Sequence, residues 1–270
     1  MSVRGIAIGV LALALVGATP AAAGAQGLNP GIDPPGANDW GCKPTAAHPY
    51  PVVLVHGTLG DMRVSWNLIS PKLEADGYCV FALDYGNRAT GPIEQSAAEL
   101  RDFVDRVLAA TGARRVSLVG HSQGGMMPRY YLKFLGGLGK VDDLIGLAPS
   151  NHGTSNPGAL VLDAAGVCYS CGQQATGSAF LTNLNAGDET PGDVSYTQVE
   201  TTYDEVVLPY TSAFLSGPNT TNVRLQDRCP LDPVEHLSII YDPVALRWVE
   251  NALARRGPAD PAFRPSCLPL

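Results

Sequence analysis

An α/β fold, with a mostly parallel central sheet and helices on both of its faces, is predicted by three observations. Short, continuous apolar runs recur along the chain, helix-patterned segments separate them, and the intervals are long enough for right-handed crossover connections. The first run, Pro51-Val52-Val53-Leu54-Val55, is continuous rather than alternating, as a strand covered on both faces requires. Residues 78–85, 115–119 and 144–148 repeat that pattern. Between the first two strands, 65–75 reads as a helix. Between the next two, 93–111 sets Ile93, Ala97, Leu100, Val104 and Leu108 on one stripe at spacings of three and four, with Glu94, Arg101, Asp102 and Arg106 off it. Another helix follows the third run, over 126–134. Further strands are expected at 194–201 and 221–225, and 243–255 reads as the closing helix. Asp242 supplies its N-cap, Pro243 its first position, and Leu246, Val249 and Leu253 its inner face. No internal repeat is visible, and residues 26–270 read as one domain.

The chain ends and one internal segment differ from this pattern. Residues 1–25 read as a signal peptide: Arg4 is the basic start, 6–16 the apolar stretch, and small residues follow, with cleavage after Ala23 or Ala25. The protein is therefore expected to be secreted. The apolar stretch is shorter than the roughly 20 residues that span a bilayer, and no later segment is apolar enough to do so. Residues 26–50, with Pro30, Pro34, Pro35 and Pro44, favour an extended arm draped over the domain. Residues 150–191 are rich in Gly, Asn, Thr and Ala. An insertion there, after a strand ending near Ala148, would overhang the carboxyl ends of the strands, where open α/β sheets bind ligands. That placement suggests a cap or lid. Ordinary surface loops are the equal alternative, because no long amphipathic helix is visible.

The formal charge of −7 argues against nucleic acid as a partner. Six cysteines, an even number in an exported chain, favour disulfides over metal ligands. Cys168-x-x-Cys171 sits in a Gly- and Ser-rich stretch rather than at a strand-to-helix junction, and reads as a small staple, not a redox motif. A zinc site would need two more ligands there, and only His152 is near in sequence. No cofactor is implied, and a monomer is expected.

The chemistry is concentrated in Gly120-His121-Ser122-Gln123-Gly124, which follows the apolar run ending at Val119 and precedes a helix-like segment. That order describes a sharp turn presenting a serine hydroxyl above the sheet edge, with helix amides beneath it. A serine hydroxyl is a poor nucleophile until a base takes its proton and an acid orients the base. His236, late in the chain just before the closing helix, has the position of the base. Asp204, following the strand 194–201, has that of the acid. The implied reaction is acyl transfer through a serine ester. Four other histidines are assigned elsewhere: His48 to the arm's surface, His56 beside a Gly-rich loop, His121 to the turn itself, and His152, the rival base that precedes every plausible acid, to a packing or lid role. Asp232, Glu235 and Asp242 sit in the histidine's own loop or at a helix cap, where structural roles fit. The loop His56-Gly57-Thr58-Leu59-Gly60 ends a buried strand and supplies a donor for an oxyanion. The Thr58 and Gln123 amides are expected to form that hole, with the Thr58 hydroxyl as a third donor.

Taken together, Val-His-Gly-Thr at 55–58, Gly-His-Ser-Gln-Gly at 120–124 and Tyr203-Asp204-Glu205-Val206-Val207-x-Pro209 resemble the secreted bacterial class 2 lipases. The chain is also similar to the fungal lipase B type. The resemblance runs from about Cys42 to Cys267 and implies an α/β-hydrolase fold, with Ser122 as nucleophile, Asp204 as acid, His236 as base and Thr58 with Gln123 at the oxyanion hole. It further implies bridges Cys42–Cys79 and Cys229–Cys267, which leaves Cys168 with Cys171. The short pair has no counterpart in the fungal type. The expected activity is hydrolysis of acylglycerols or similar water-insoluble esters. The alternatives are an esterase for short or polymeric esters, an acyltransferase on the same triad, or a non-catalytic binding protein reusing the fold.

Overall fold

A computed structural model describes residues 32–268. The predicted signal peptide and Pro30 lie outside these residues. Six strands form one fully parallel sheet in the order β2-β1-β3-β4-β5-β6: β1 (Val52–Val55), β2 (Val80–Leu83), β3 (Val116–His121), β4 (Val141–Leu147), β5 (Ser195–Glu200) and β6 (Thr220–Arg224). In chain order the helices are α1 (Met62–Ser65), α2 (Ile69–Ala75), the left-handed turn α3 (Gly86–Ala89), α4 (Ile93–Thr111), α5 (Gln123–Met126), α6 (Pro128–Phe134), α7 (Pro157–Ala164), α8 (Tyr169–Gln173), α9 (Ala179–Asn185) and α10 (Pro243–Leu253).

The continuous apolar strands have the burial their composition demands, because helices cover both faces. Alternate residues point to opposite cores. Val52 and Leu54 pack with Trp66, Ile69, Leu73 and the α10 residues Leu246 and Val249. Val53 and Val55 pack with Ile93, Leu100, Val104 and Tyr131 on the other side. The stripe read for 93–111 is buried at Ile93, Ala97, Leu100 and Val104. Asp242 accepts the Ala245 amide at 2.6 Å, so the expected cap and Pro243 start α10.

Two expected helices begin a few residues later than read, each sharing only its first residue with a short helix before it. The segment 65–75 divides at the buried Trp66, which ends α1 at φ −120°, and α2 restarts at Ile69. The segment 126–134 divides at Pro128, which has no N–H to donate and opens α6 as its first residue. Strand β4 begins at Val141, three residues before the expected 144, because Asp142 and Asp143 hide the start behind two charges.

The described part of the arm lies against β2: Asn38 exchanges two hydrogen bonds with Ala82 at 2.9 Å, and Ala37 bridges to Val80. Disulfides join Cys42 to Cys79, Cys168 to Cys171, and Cys229 to Cys267. The two long bridges close separations of 37 and 38 residues and tie the arm and the C-terminal tail to the sheet. On the chain-entropy argument each stabilises by about 3–4 kcal/mol.

Candidate active site

Strand β3 delivers Ser122 to the carboxyl edge of the sheet. Its backbone, at φ 53° and ψ −122°, occupies a region that residues with side chains rarely adopt, at a cost of about 1–3 kcal/mol. The turn is possible only because its flanks are glycines. A Cβ at Gly120 would lie 1.8 Å from Gly124 O, and one at Gly124 would lie 2.1 Å from Val55 O. The Ser122 amide donates to Leu147 O on β4 at 2.9 Å, which locks the turn to the sheet.

His236 and Asp204 come from two loops 32 residues apart, and both are buried. His236 Nδ1–H donates to Asp204 Oδ2 at 2.7 Å. That bond fixes the tautomer, leaving Nε2 as the basic nitrogen. Asp204 Oδ1 accepts the Val206 and Val207 amides at 2.8 and 2.7 Å. Burial pushes the Asp204 carboxyl up, but the His236 hydrogen bond and charge together with the two amides outweigh it and hold it below the ordinary value. Asp204 therefore remains ionised across the neutral range. Ser122 and His236 line the same cavity, and no hydrogen bond joins the Ser122 hydroxyl to the imidazole among the described residues. Such bonds are often long in a free enzyme and tighten when substrate is bound.

The loop after β1 places Thr58 opposite the turn. Thr58 Oγ1 accepts from Gln123 Nε2 at 2.9 Å and from Gln174 Nε2 at 3.0 Å. With both lone pairs used, its proton is free to be donated into the cavity. The amides of Thr58 and Gln123 meet no acceptor among the described residues, and Gln123 opens α5. Gln123 Nε2 also donates to Ala89 O at 2.8 Å, in the left-handed turn where Asn87, Arg88 and Ala89 all have positive φ.

The remaining candidates take structural places. His121 is buried, and burial, then the neighbouring His236, push its imidazole down to about 3, so it is neutral. Its Nε2–H donates to the His236 carbonyl at 2.9 Å, bracing the histidine loop from beneath. His56 is lowered by burial, donates Nδ1–H to Gly57 O at 2.8 Å and stacks on Tyr85. His152 pairs with Glu189 at 2.8 Å, and His48 packs on the Tyr78 ring. Asp232 accepts the Val234 amide, and Glu235 accepts those of Leu237 and Ser238. Among the described residues, no cluster of histidine, cysteine, aspartate or glutamate could hold a metal ion.

Sequence reasoning missed Gln174 and the His121 brace. Gln174 lies 116 residues from the threonine it holds, and nothing local signals that contact. Beside Ser122 the cavity encloses about 300 Å³, with Leu59, Leu162, Val206 and Leu237 as its apolar lining and Ser150, Thr58 and Gln174 as its polar patch. Residues Gly158, Ala159 and Leu162 of α7 and Cys171 of α8 close one side.

A parallel sheet carrying a strained serine between a strand and a helix, with a histidine–carboxylate pair at the same edge, defines the α/β-hydrolase class. The structure of Aspergillus fumigatus lipase B shares the fold, with a TM-score of 0.73 over 85% of this chain and 57% of that one at 24% identity. Residues 49–249 match the lipase (class 2) family profile, and the chain belongs to that family. It is 36% identical over 114 residues to the triacylglycerol lipase of Burkholderia plantarii, a stretch covering 40% of this chain and 31% of that one. It is 35% identical over 144 residues to lipase B of Pseudozyma antarctica, covering 49% and 40% of the two chains. The chain thus spans under half the length of these two curated relatives.

Proposed function

We propose that the protein is a secreted serine ester hydrolase that cleaves acylglycerols or similar lipid esters through an acyl-serine intermediate. The observation that carries this reading is the buried 2.7 Å pair of His236 and Asp204, opening on the cavity that holds the strained Ser122. In this reading His236 Nε2 takes the Ser122 proton as Oγ attacks the ester carbonyl. Asp204 stabilises the imidazolium without itself taking the proton. Thr58 and Gln123 amides, with the Thr58 hydroxyl, receive the oxyanion, and His236 returns its proton to the departing alcohol. Water then repeats the sequence on the acyl-serine.

Two features favour lipid esters. The cavity lining is mainly apolar, and Leu59, Leu237, Leu160 and Val161 expose 42%, 63%, 55% and 66% of their surface around the cavity and on α7. We assign residues 150–191 as a cap, because α7 has no buried residue yet supplies Ala159 and Leu162 to the cavity. Secretion is supported by the three disulfides, which persist in oxidising compartments, and by the predicted signal peptide.

The test is initial rates on 4-nitrophenyl esters from acetate to palmitate, with the oxidised protein and its Ser122→Ala variant. The variant is expected to lose about 10³-fold or more in kcat/KM. If the unaltered protein turns over none of the series, the hydrolase reading fails and a binding protein takes its place.

A further inference from the structure

Glu200 is the last residue of β5, four residues before Asp204, and none of its surface reaches solvent. Its Oε1 accepts the Thr201 amide at 2.7 Å, and its buried Oε2 meets no donor among the described residues. The Glu200 and Asp204 carboxyls lie within hydrogen-bonding reach of one another. Among the described residues no lysine or arginine forms an ion pair with either carboxyl. Arg224, the register partner of Glu200 on β6, spends its guanidinium on Asp227 and the Tyr210 hydroxyl. His236 gives its Nδ1–H to Asp204, and neutral His121 gives its Nε2–H to the His236 carbonyl. Glu205, on the following turn, adds a further carboxylate and accepts the His236 amide.

Two buried carboxyls in contact cannot both ionise and so share one proton. Asp204 has three donors, the Val206 and Val207 amides and His236, whereas Glu200 has one. The negative charge therefore settles on Asp204 and the proton on Glu200. A carboxylate offers about four lone-pair sites, so Asp204 has room for a fourth donor. Burial, and then the charge of Asp204, hold the Glu200 carboxyl well above the ordinary range.

We propose that Glu200 is a positioning residue for Asp204: its Oε2–H donates to the Asp204 carboxylate and holds it toward His236 without adding a second negative charge beside the imidazole. The inference rests on reading Asp204 as the acid of the triad. An ionised glutamate here would stabilise the imidazolium and push the base's titration to higher pH, and an apolar residue would leave Asp204 free to turn.

The experiment compares Glu200→Gln and Glu200→Leu with the unaltered protein, reading kcat and KM against pH on a soluble 4-nitrophenyl ester. Glutamine keeps the shape, the acceptor for Thr201 and a donor for Asp204. It is expected to retain kcat within about threefold with the acid limb unmoved. Leucine is expected to lower kcat about tenfold with KM nearly unchanged, so that glutamine acts as the rescue. An acid limb displaced by about one pH unit in the glutamine variant, or an unchanged kcat in the leucine variant, overturns the proposal.

An infrared difference spectrum between the unaltered protein and Glu200→Gln at neutral pH supplies a reading that needs neither turnover nor a folded leucine variant. A protonated-carboxyl carbonyl band lost in the variant supports the proposal, and its absence overturns it. Loss of all esterase activity in the unaltered protein would instead count against the hydrolase reading and leave the spectrum readable.

Discussion

The cavity beside Ser122 has one side built from the carboxyl ends of β1, β3 and β5 and another built from residues 157–174. The first side is held by backbone constraints and buried hydrogen bonds: the strained Ser122, the glycines that admit it, the Asp204–His236 pair and the His121 brace. The second is a surface helix with no buried residue, followed by the short Cys168–Cys171 bridge and two polar anchors. Ser170 Oγ donates to Ala89 O at 2.6 Å, and Gln174 Nε2 donates to Thr58 Oγ1 at 3.0 Å. In the proposed reading the first side carries the chemistry and the second selects the substrate, and the two sides meet at Thr58 and Ala89.

The sharpest way to break this contrast lies on the first side. His236→Ala should match Ser122→Ala, each lowering kcat/KM by about 10³-fold or more, because the pair acts as a unit. Melting temperatures should fall by no more than a few degrees, which a thermal scan of both variants checks. Thr58→Val keeps the shape and removes the hydroxyl that both glutamines address. It should cost about 10²-fold in kcat with little change in KM, as loss of one oxyanion donor does. A change confined to KM would remove the Thr58 hydroxyl, though not its amide, from the oxyanion hole.

Changes on the second side should be smaller and should alter preference rather than rate. Leu162→Trp, which fills the cavity from α7, should move the chain-length optimum toward acetate while leaving acetate turnover within about threefold. An optimum that stays in place would mean that the acyl chain lies elsewhere. Replacing Cys168 and Cys171 together by serine should cost about 2 kcal/mol or less, well below either long bridge, since the closed loop is only 3 residues. Denaturant unfolding of the three double-serine variants orders these costs directly.

The smallest effect on activity is expected from the opposite edge of the sheet. Asp143, on β4, is buried, and burial followed by the charge of Asp142 pushes its carboxyl from 3.8 up to about 8. The folded chain thus holds a proton that the unfolded chain releases, so this residue's contribution to stability is lost as pH rises from about 4 to about 8. Asp143→Asn should therefore raise the melting temperature more at pH 8 than at pH 5, by about 2–4 °C for each kcal/mol recovered, with esterase rates unchanged. Parallel pH dependences in the two proteins would place the proton elsewhere.

This contrast also explains what the sequence could reveal. Ser122, Asp204, His236, Thr58 and Gln123 could be picked out as candidates because each follows a local pattern: a continuous apolar strand, an alternating strand, a Gly-bounded turn, or a loop before a capped helix. The structure brings all five to one edge, although the Ser122–His236 link is not closed by a hydrogen bond. The first strands of the sheet were legible as continuous apolar runs, except where Asp142 and Asp143 masked the start of β4. The breaks at Trp66 and Pro128 were missed because a 3.6-residue pattern continues across them, while packing in one case and a missing N–H in the other interrupt the helix. Residues 150–191 gave no periodic signal, since α7 presents apolar side chains to a cavity and to solvent rather than to a core. Glu200 was illegible because a glutamate in a strand looks solvent-facing, and only the tertiary fold reveals its complete burial.

The central claim is that Ser122 is the activated nucleophile, and covalent labelling tests it most directly. The oxidised protein, treated with a serine-reactive alkyl phosphonate, is digested and the modified residue located by mass spectrometry. One adduct is expected, on Ser122, and it should be lost in His236→Ala as well as in Ser122→Ala. Failure of the folded protein to label, or an adduct on another residue that survives Ser122→Ala, would contradict the account.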